Sequence, residues 1–304
     1  MDAIWKLNAV TLAAQVLTVP LSIYHFHQFP NLFILTNFLA VPLSSLILLG
    51  EIFLCVISFA PPLAILTGKL IAWLIKLMNT YIERIEAIPF SLWDGLQISL
   101  TQTILLFLFA VCASYGLIER SKRALQLALF ALLFFTTLRS ISFIKMDQQQ
   151  KIIVYNIPKK TGIDLISGRN FLFVGDSSLR NDDFARNFHL KPSRVLNRIK
   201  NAGNIDQLFV HDHCFDLQGK HILVLDKTVS FSSQQKKICV DLLVISNGPK
   251  LYIKKIAAAL DIRQVVFDGS VPAWKSVYWK KDCDSLHIPW HDVTMKGAFV
   301  MMVR

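Results

Sequence analysis

Charge is the scarcest property of this sequence, and it is scarcest in the first half. Only 17% of the 304 residues are Asp, Glu, Lys or Arg, whereas 53% are hydrophobic. Residues 1–146 hold 9 of the 32 basic residues and 6 of the 21 acidic ones, and residues 98–118 hold none. A helix needs about 20 mostly apolar residues to cross the hydrocarbon core of a bilayer. The scarcity excludes an ordinary soluble protein and predicts a polytopic α-helical membrane domain over residues 1–146.

Cysteine motifs are missing as well. The five cysteines are dispersed, and no two of them have the CxxC spacing, which excludes a zinc ribbon and a thioredoxin-like site. Cys55 and Cys112 fall inside apolar runs, where cysteine behaves as a small hydrophobic side chain. The spacing therefore assigns neither a metal centre nor a disulfide.

The apolar runs predict four spans and leave a fifth open. The four are residues 8–24, 31–60, 98–118 and 124–144. The run 31–60 contains Pro42, so it forms either one long tilted helix or a helix broken at that proline, because proline removes a backbone hydrogen bond. Residues 63–88 are more charged, and they form either a further span or a helix lying at the membrane interface.

The segment 119–123, Glu-Arg-Ser-Lys-Arg, separates the last two predicted spans. Its three positive charges indicate the cytoplasmic side, because short cytoplasmic loops are enriched in Lys and Arg. The next span then leaves the cytoplasm. Residues 147–304 are therefore predicted to be an extracytoplasmic soluble domain, joined by the polar linker 145–150.

The second half has the pattern of a small mixed α/β domain. Short β-branched or apolar runs predict strands at 151–157, 170–174, 221–226, 239–246, 263–267 and 297–303. Helices are predicted at 250–260 and from a Ser270 cap to about residue 281. The domain has 23 basic and 15 acidic residues and no glutamate. This charge favours an acidic partner such as nucleic acid or anionic lipid, or it serves solubility alone.

The first half resembles the core of the ComEC-type competence family, whose members form the inner-membrane channel for imported single-stranded DNA. The resemblance lies in polar residues and prolines at fixed places in an apolar background: Ala13-Ala14-Gln15, Thr18-Val19-Pro20-Leu21, Tyr24-His25-Phe26-His27-Gln28-Phe29, Asn37 and Pro42-Leu43.

The end of the chain resembles the family's version in Bacteroidetes-like bacteria. The matching residues are Val266-Phe267-Asp268, Trp274-Lys275, Tyr278-Trp279, Lys281-Asp282-Cys283 and Lys296-Gly297-Ala298-Phe299. Together the two resemblances cover most of the chain, but the family's N-terminal part is missing. We therefore expect a fragment, one piece of a split gene, or a misassigned start.

The resemblance implies a pathway for single-stranded DNA in the bacterial inner membrane, with other DNA-uptake proteins, the lipid bilayer and further copies of the chain as partners. Polar groups persist in hydrocarbon only where protein or water satisfies them, and prolines favour broken helices along transport routes. The alternative is that these residues only hold helices together. The candidate pathway residues are Gln15, Thr18, Pro20, Tyr24, His27, Gln28, Asn37 and Pro42.

The resemblance also implies a metallo-β-lactamase-like fold for the soluble domain, in a degenerate form. The family's active members carry an H-x-H-x-D-H metal motif, and the nearest match here is His211 to Asp216, where Phe215 and Asp216 replace the Asp and the last His. The family's His-His-Gly-Ser turn reads Ser246-Asn247-Gly248-Pro249, and Asp176 is expected to be a turn residue. A catalytic zinc needs three protein ligands, so we expect no cofactor and no catalytic residue.

Two other interpretations remain open. In the first, His211 and His213 lie on one strand, face the same side and bind a metal with Cys214 or Asp216, which would make the chain a membrane-tethered metal-dependent hydrolase. In the second, the chain is a non-functional gene fragment. The sequence leaves the question of enzymatic activity undecided, although the incomplete ligand set counts against it.

Overall fold

A computed structural model describes residues 2–202, 205, 208–229 and 237–303, with the side chains of 2–8, 201 and 202 left out. The chain divides into two compact units, residues 1–140 and 141–304. We call the first the helical unit and the second the α/β unit.

Five long apolar helices begin in the helical unit, and each is long and apolar enough to cross a membrane. Helix α2 continues through Pro42 without a break, which settles the choice that the sequence left open. Helix α3 covers the doubtful run and is a fifth candidate span. The helices are α1 Asp2–Phe26, α2 Phe33–Val56, α3 Pro61–Glu86, α4 Leu100–Ile118 and α5 Lys122–Asp147.

Two short strands join connections that are distant in sequence. Strand β1, Gln28–Pro30, follows α1, and strand β2, Leu92–Asp94, follows α3; the two pair antiparallel. Ser99 then starts α4 with a capping box, since its hydroxyl accepts from the backbone N–H of Gln102 while the Gln102 side chain accepts from the N–H of Ser99. The two strands thus fix where α1, α2 and α4 begin or end.

In the described part of the α/β unit, the strands form two large sheets and a small strand pair. One sheet has five strands in the order β15-β3-β4-β5-β6, and the other has six in the order β14-β13-β11-β9-β8-β7. The four strands β14, β13, β11 and β9 are parallel, whereas β8 and β7 are antiparallel additions. The strands are β3 Gln150–Val154, β4 Gly162–Ser167, β5 Asn170–Gly175, β6 Asn201–Ala202, β7 Leu208–His211, β8 Cys214–Leu217, β9 Lys220–Leu225, β10 Ile238–Val240, β11 Leu242–Ile245, β12 Leu260–Ile262, β13 Val265–Phe267, β14 Trp290–Asp292 and β15 Phe299–Met302.

The two sheets pack face to face, and helices cover both outer faces. Ile152 and Val154 lie in the core between the sheets, whereas their neighbours Ile153 and Tyr155 lie under the helices that follow β5. This period of two is what a strand buried on both faces requires. The helices are α6 Ser178–Asn181, α7 Asp183–Ala185, a π-helical turn Arg186–Leu190, α8 Lys191–Leu196, α9 Ile253–Ala259, α10 Ala273–Ser285 and α11 Val293–Lys296.

Two sequence predictions for this unit are wrong in detail. The run 239–246 is not one strand: β10 pairs with β12 and β11 joins the six-stranded sheet, with Asp241 between them. The Asp241 carboxylate accepts hydrogen bonds from Lys220 and Arg263, and these bonds stabilise the point where β10 ends and β11 begins. Ser270 does not cap α10, which begins at Ala273 after Pro272; its hydroxyl donates instead to Asp268.

Candidate functional sites in the membrane helices and at the sheet edge

Gln15 and Thr18 satisfy each other on helix α1. The Thr18 hydroxyl lies 3.0 Å from the carbonyl oxygen of Ala14 and 2.8 Å from the Gln15 side-chain oxygen. A threonine that bonds back to its own helix needs no partner from a second helix. Polar atoms on this face are therefore tolerated in an apolar environment.

A cavity of about 460 Å³ lies between α1, β1 and α4 in the helical unit. Gln15 and Pro20 line it, together with Phe29 and Phe33, and Ser114 contributes from α4. The remaining lining residues are apolar: Leu12, Val16, Val19, Leu106, Phe109, Ala110, Ala113 and Leu117. The structure thus brings two of the predicted pathway residues to one cavity, but its wall is mainly hydrocarbon.

His27 and Gln28 occupy the connection between α1 and α2. His27 has a left-handed backbone (φ 58°), and its ring nitrogen Nδ1 lies 3.2 Å from the carbonyl oxygen of Leu96. The Leu96 N–H donates to the carbonyl of His27 at 2.8 Å, and Gln28 pairs with Asp94 across the strands. These residues hold the connection in shape. Tyr24 lies just before them, with its ring edge-on to that of His25.

Asn37 and Pro42 lie further along α2, and neither lines the cavity. Asn37 is half-buried and Pro42 is exposed. Helix α2 packs closely on α3: a Cβ on Gly50 would lie 3.2 Å from Ile71, and the Tyr81 hydroxyl donates to the carbonyl of Leu35 at 2.6 Å. The predicted pathway residues therefore divide into an α1 group at a cavity and an α2 group apart from it.

The carboxyl ends of the parallel strands define a second site, at one edge of the six-stranded sheet. Strands β9, β11 and β13 are followed by Asp226, Ser246 and Asp268. Parallel strands place these ends on one edge, which is where ligands bind in open α/β sheets. Asp268 is 1% exposed; its Oδ1 accepts from the Ser270 N–H at 3.0 Å and from the Ser270 hydroxyl at 2.5 Å. Its Oδ2 is buried and has no hydrogen-bond partner among the residues that the structure describes.

Burial raises the pKa of Asp268 to about 6, because the charged carboxylate loses solvation. The Ser270 hydrogen bonds oppose this rise, and the negative charge of Asp176 adds to it. The sequence reading could not foresee a buried acid here, because Asp268 looks like a turn residue after a strand.

A loop from the five-stranded sheet closes onto this edge. Thr161 donates from its hydroxyl to the Ser270 Oγ at 3.2 Å, and its N–H donates to Asp176 Oδ2 at 2.9 Å. Asp176 is therefore a turn-stabilising residue, as expected. A Cβ on Gly269 would collide with the Ile157 carbonyl, so only glycine fits this approach.

The predicted histidine pair lies on a hairpin rather than on one strand. His211 ends β7 and pairs with Cys214 of β8, while Asp212, with a left-handed backbone (φ 52°), and His213 form the turn. The alternative interpretation, in which both histidines lie on one strand and face the same side, is wrong because the chain reverses at Asp212 and His213. His213 Nδ1 lies 3.5 Å from Asp226 Oδ1. Across the part of the chain that the structure describes, no three His, Cys, Asp or Glu side chains cluster as a metal site would require.

The neighbouring thiol is also poorly suited to metal binding or attack. Burial raises the pKa of Cys214, and the charge of Asp212 adds to the rise. Because the thiolate is the reactive form, a raised pKa makes the thiol less reactive.

Both units match known protein families. Residues 2–123 match the family model described as Competence protein, and residues 152–303 match the one described as ComEC C-terminal domain. No curated protein and no solved structure matches the chain.

Proposed function

We propose that this chain is a subunit or fragment of the inner-membrane channel that translocates single-stranded DNA. The chain belongs to the ComEC family of competence proteins and is a membrane protein of DNA uptake. The family match over both units carries the proposal. The five candidate spans and the cavity beside Gln15 support it in the helical unit.

The route for DNA is proposed to use Gln15, Thr18, Pro20, Gln28, Asn37 and Pro42, with Tyr24 and His27 at its mouth. Amide and hydroxyl donors would meet the phosphates, because the spans contain few Lys or Arg residues to do so. A single copy of the chain offers only the apolar cavity described above, and a polyanion would not enter it. The proposal therefore includes a partner face, from a second copy or another uptake protein, that completes a polar wall opposite Gln15.

The proposed membrane orientation rests on the three positive charges of the segment 119–123. With the 119–123 segment in the cytoplasm and five spans, residues 147–304 lie outside the cytoplasm. A reporter that is active only outside the cytoplasm should be active when fused after Arg304 and inactive when fused after Arg120. The reverse pattern would refute this orientation.

The α/β unit is proposed to have a degenerate metallo-β-lactamase-like fold without nuclease chemistry. Its layering of helices, two sheets and helices supports such a fold. The strand-end positions that bind metal in active relatives carry too few ligands here.

A metal-dependent hydrolase is the second candidate, and one observation favours it. His213 lies beside Asp226 at the sheet edge, where Asp268 also ends its strand. A carboxylate that orients a histidine is a common support for a metal ligand. Metal content of the purified chain distinguishes this candidate from the channel.

The decisive experiment replaces Gln15 with an apolar residue of similar size. Gln15→Leu should leave the amount of protein in the membrane nearly unchanged and abolish uptake of labelled DNA, if the rest of the uptake system is present. Leu49→Met, on the exposed face of α2, is the matched control and should take up DNA normally. Normal uptake by Gln15→Leu would mean that the residue only packs helices. Uptake that survives deletion of the whole chain would identify an inert gene fragment.

A further inference from the structure

A groove of about 510 Å³ lies in the α/β unit beside the N-terminal end of α10. Three aromatic rings line it and remain largely exposed: Tyr252 by 66%, Trp274 by 64% and Tyr278 by 65%. Exposed large aromatic side chains that share one concave surface are typical of a binding site, whereas single ones are common on any surface.

The groove is built on a rigid floor. Trp279 lies beneath it, 5% exposed, with its ring stacked on Phe267 at 5.9 Å and its indole N–H donating to the Leu251 carbonyl at 3.3 Å. The Lys275 ammonium donates to the Gly248 carbonyl and thereby joins α10 to the loop after β11. The exposed rings are thus presented by a fixed scaffold.

The charge of the groove is positive. Lys250, Lys275 and Lys281 line it, and Asp282 is the only carboxylate among its described lining residues. That carboxylate lies 3.7 Å from the ammonium of Lys254. Two ammonium groups also lie over rings, Lys275 at 5.4 Å from the Trp274 centroid and Lys255 at 5.3 Å from the Tyr252 centroid. The groove therefore offers flat aromatic faces with cations between them.

We propose that this groove binds single-stranded nucleic acid, with bases stacked on Trp274 and Tyr278 and phosphates held by Lys250, Lys275 and Lys281. Aromatic faces with interleaved cations are how proteins hold single strands without sequence preference. A duplex keeps its bases stacked inside and cannot offer them to the rings. A bilayer surface fits less well, because the rings line a hollow rather than project from a convex surface. The choice of ligand rests on the proposed role in DNA uptake, but the groove itself does not.

The test uses the full chain in nanodiscs of neutral lipid and measures binding of a fluorescent oligothymidylate by anisotropy. Trp274→Ala and Tyr278→Ala should each weaken binding by at least about fivefold, since each variant loses the stacking of one base on an aromatic ring. Phe209→Ala removes an equally exposed ring, 74% exposed, from strand β7 outside the groove, and it should bind as the parent does.

Three further ligands make the result specific. An abasic oligomer of the same length and charge should bind the parent at least as weakly as oligothymidylate binds to Trp274→Ala, and a duplex should bind less tightly than the single strand. Trp274→Phe keeps a ring and should retain most of the affinity, which separates stacking from a folding defect. Vesicles of anionic lipid should not compete with the oligomer.

Several results would overturn the inference. Unchanged binding in both alanine variants, or equal affinity for the abasic oligomer, would mean that charge alone attracts DNA. Competition by anionic vesicles that Trp274→Ala abolishes would assign the groove to a membrane surface. Binding here is measured on the purified chain, so normal oligomer binding together with DNA uptake that survives deletion of the chain would count against the channel and leave the groove standing.

Discussion

Large apolar side chains face outward in the helical unit and inward in the α/β unit. In the helices these side chains face outward: Leu49 is 64% exposed and Phe130 is 67% exposed. In the sheets they face inward: Leu243 and Phe267 are both 0% exposed. Both units use the same residue types, so the difference lies in the surroundings each unit is built for, hydrocarbon in one and water in the other.

Some polar side chains differ between the two units in a similar way. In the helical unit the hydroxyls of Thr18 and Thr137 bond to carbonyls four residues back on their own helices. In the α/β unit buried polar groups are paired between distant elements, as when Arg194 of α8 donates to Asp164 of β4 from two nitrogens at 2.9 Å each. A local partner suffices where the outside is apolar, whereas a water-soluble core needs long-range partners to bury charge.

The largest expected effect is on the core between the six-stranded sheet and the helices α9 and α10, where Leu243 lies. Leu243→Ala should lower the free energy of unfolding of the α/β unit by about 2–5 kcal/mol, because a buried leucine leaves a cavity. Leu49→Ala, at an exposed site on α2, should leave that free energy unchanged. Unfolding of the purified full chain, followed by proteolysis within residues 147–304, measures both. Equal losses would break the comparison.

The next effect concerns the buried acid at the sheet edge. The pKa of Asp268 is raised in the folded state to about 6 from an ordinary value of 3.8, so folding favours the protonated form. Its contribution to stability is fully present below the ordinary value and is lost as the pH rises through about 6, by roughly 3 kcal/mol at most. Asp268→Asn should remove this pH dependence between about pH 4 and 6. An unfolding profile that keeps the same slope in the variant contradicts the assignment.

A smaller effect sharpens the helical side of the comparison. Single cysteines at Gln15, Thr18 and Asn37, in a background without Cys55, Cys112 and Cys214, should react with a small water-soluble thiol reagent, because a route for DNA is wet. Leu49→Cys, facing lipid, is the matched control and should react slowly. If all four cysteines react at the same slow rate, these residues only pack helices.

The smallest effect is expected at the histidine hairpin. The purified chain should hold no stoichiometric zinc or manganese and should not cut DNA, because a catalytic site needs three protein ligands. The double variant His211→Ala/His213→Ala should therefore match the parent in metal content. Close to one equivalent of tightly held metal in the parent, lost in the double variant, would replace the channel interpretation by the hydrolase.

Hydropathy made the helices readable from the sequence, because an apolar run of span length has few alternatives. It could not decide whether Pro42 breaks α2, since that depends on whether neighbouring groups tolerate the missing hydrogen bond. The α/β unit was harder: the break at Asp241 depends on Lys220 and Arg263, which are far away in sequence. The turn at Asp212 and His213 was not predicted, because a left-handed backbone is usually indicated by a glycine and here the residue is Asp212.

The contacts of the loops at the sheet edge could not be predicted from the sequence either. Ser270 looked like a helix cap because serine often is one, and only the fold shows its hydroxyl between Asp268 and Thr161. The cavity residue Phe33 was also missed, since an apolar residue in an apolar run gives no signal of its own. The aromatic groove has a sequence signal in hindsight: Trp274, Tyr278 and Lys281 recur at helical spacing on α10.

The pairing of β1 with β2 also sets an order for assembly during synthesis. Residues 28–30 emerge from the ribosome more than sixty residues before their partners at 92–94. Until α3 has been inserted, the backbone of the first strand and the Asn31 side chain, which later donates to the Phe90 carbonyl at 2.7 Å, have only water or lipid head groups to bond. The first two helices are thus synthesised before the strand between them can pair with its partner. Strands β1 and β2 can pair only when the segment after α3 has reached the side of the membrane where the connection between α1 and α2 lies.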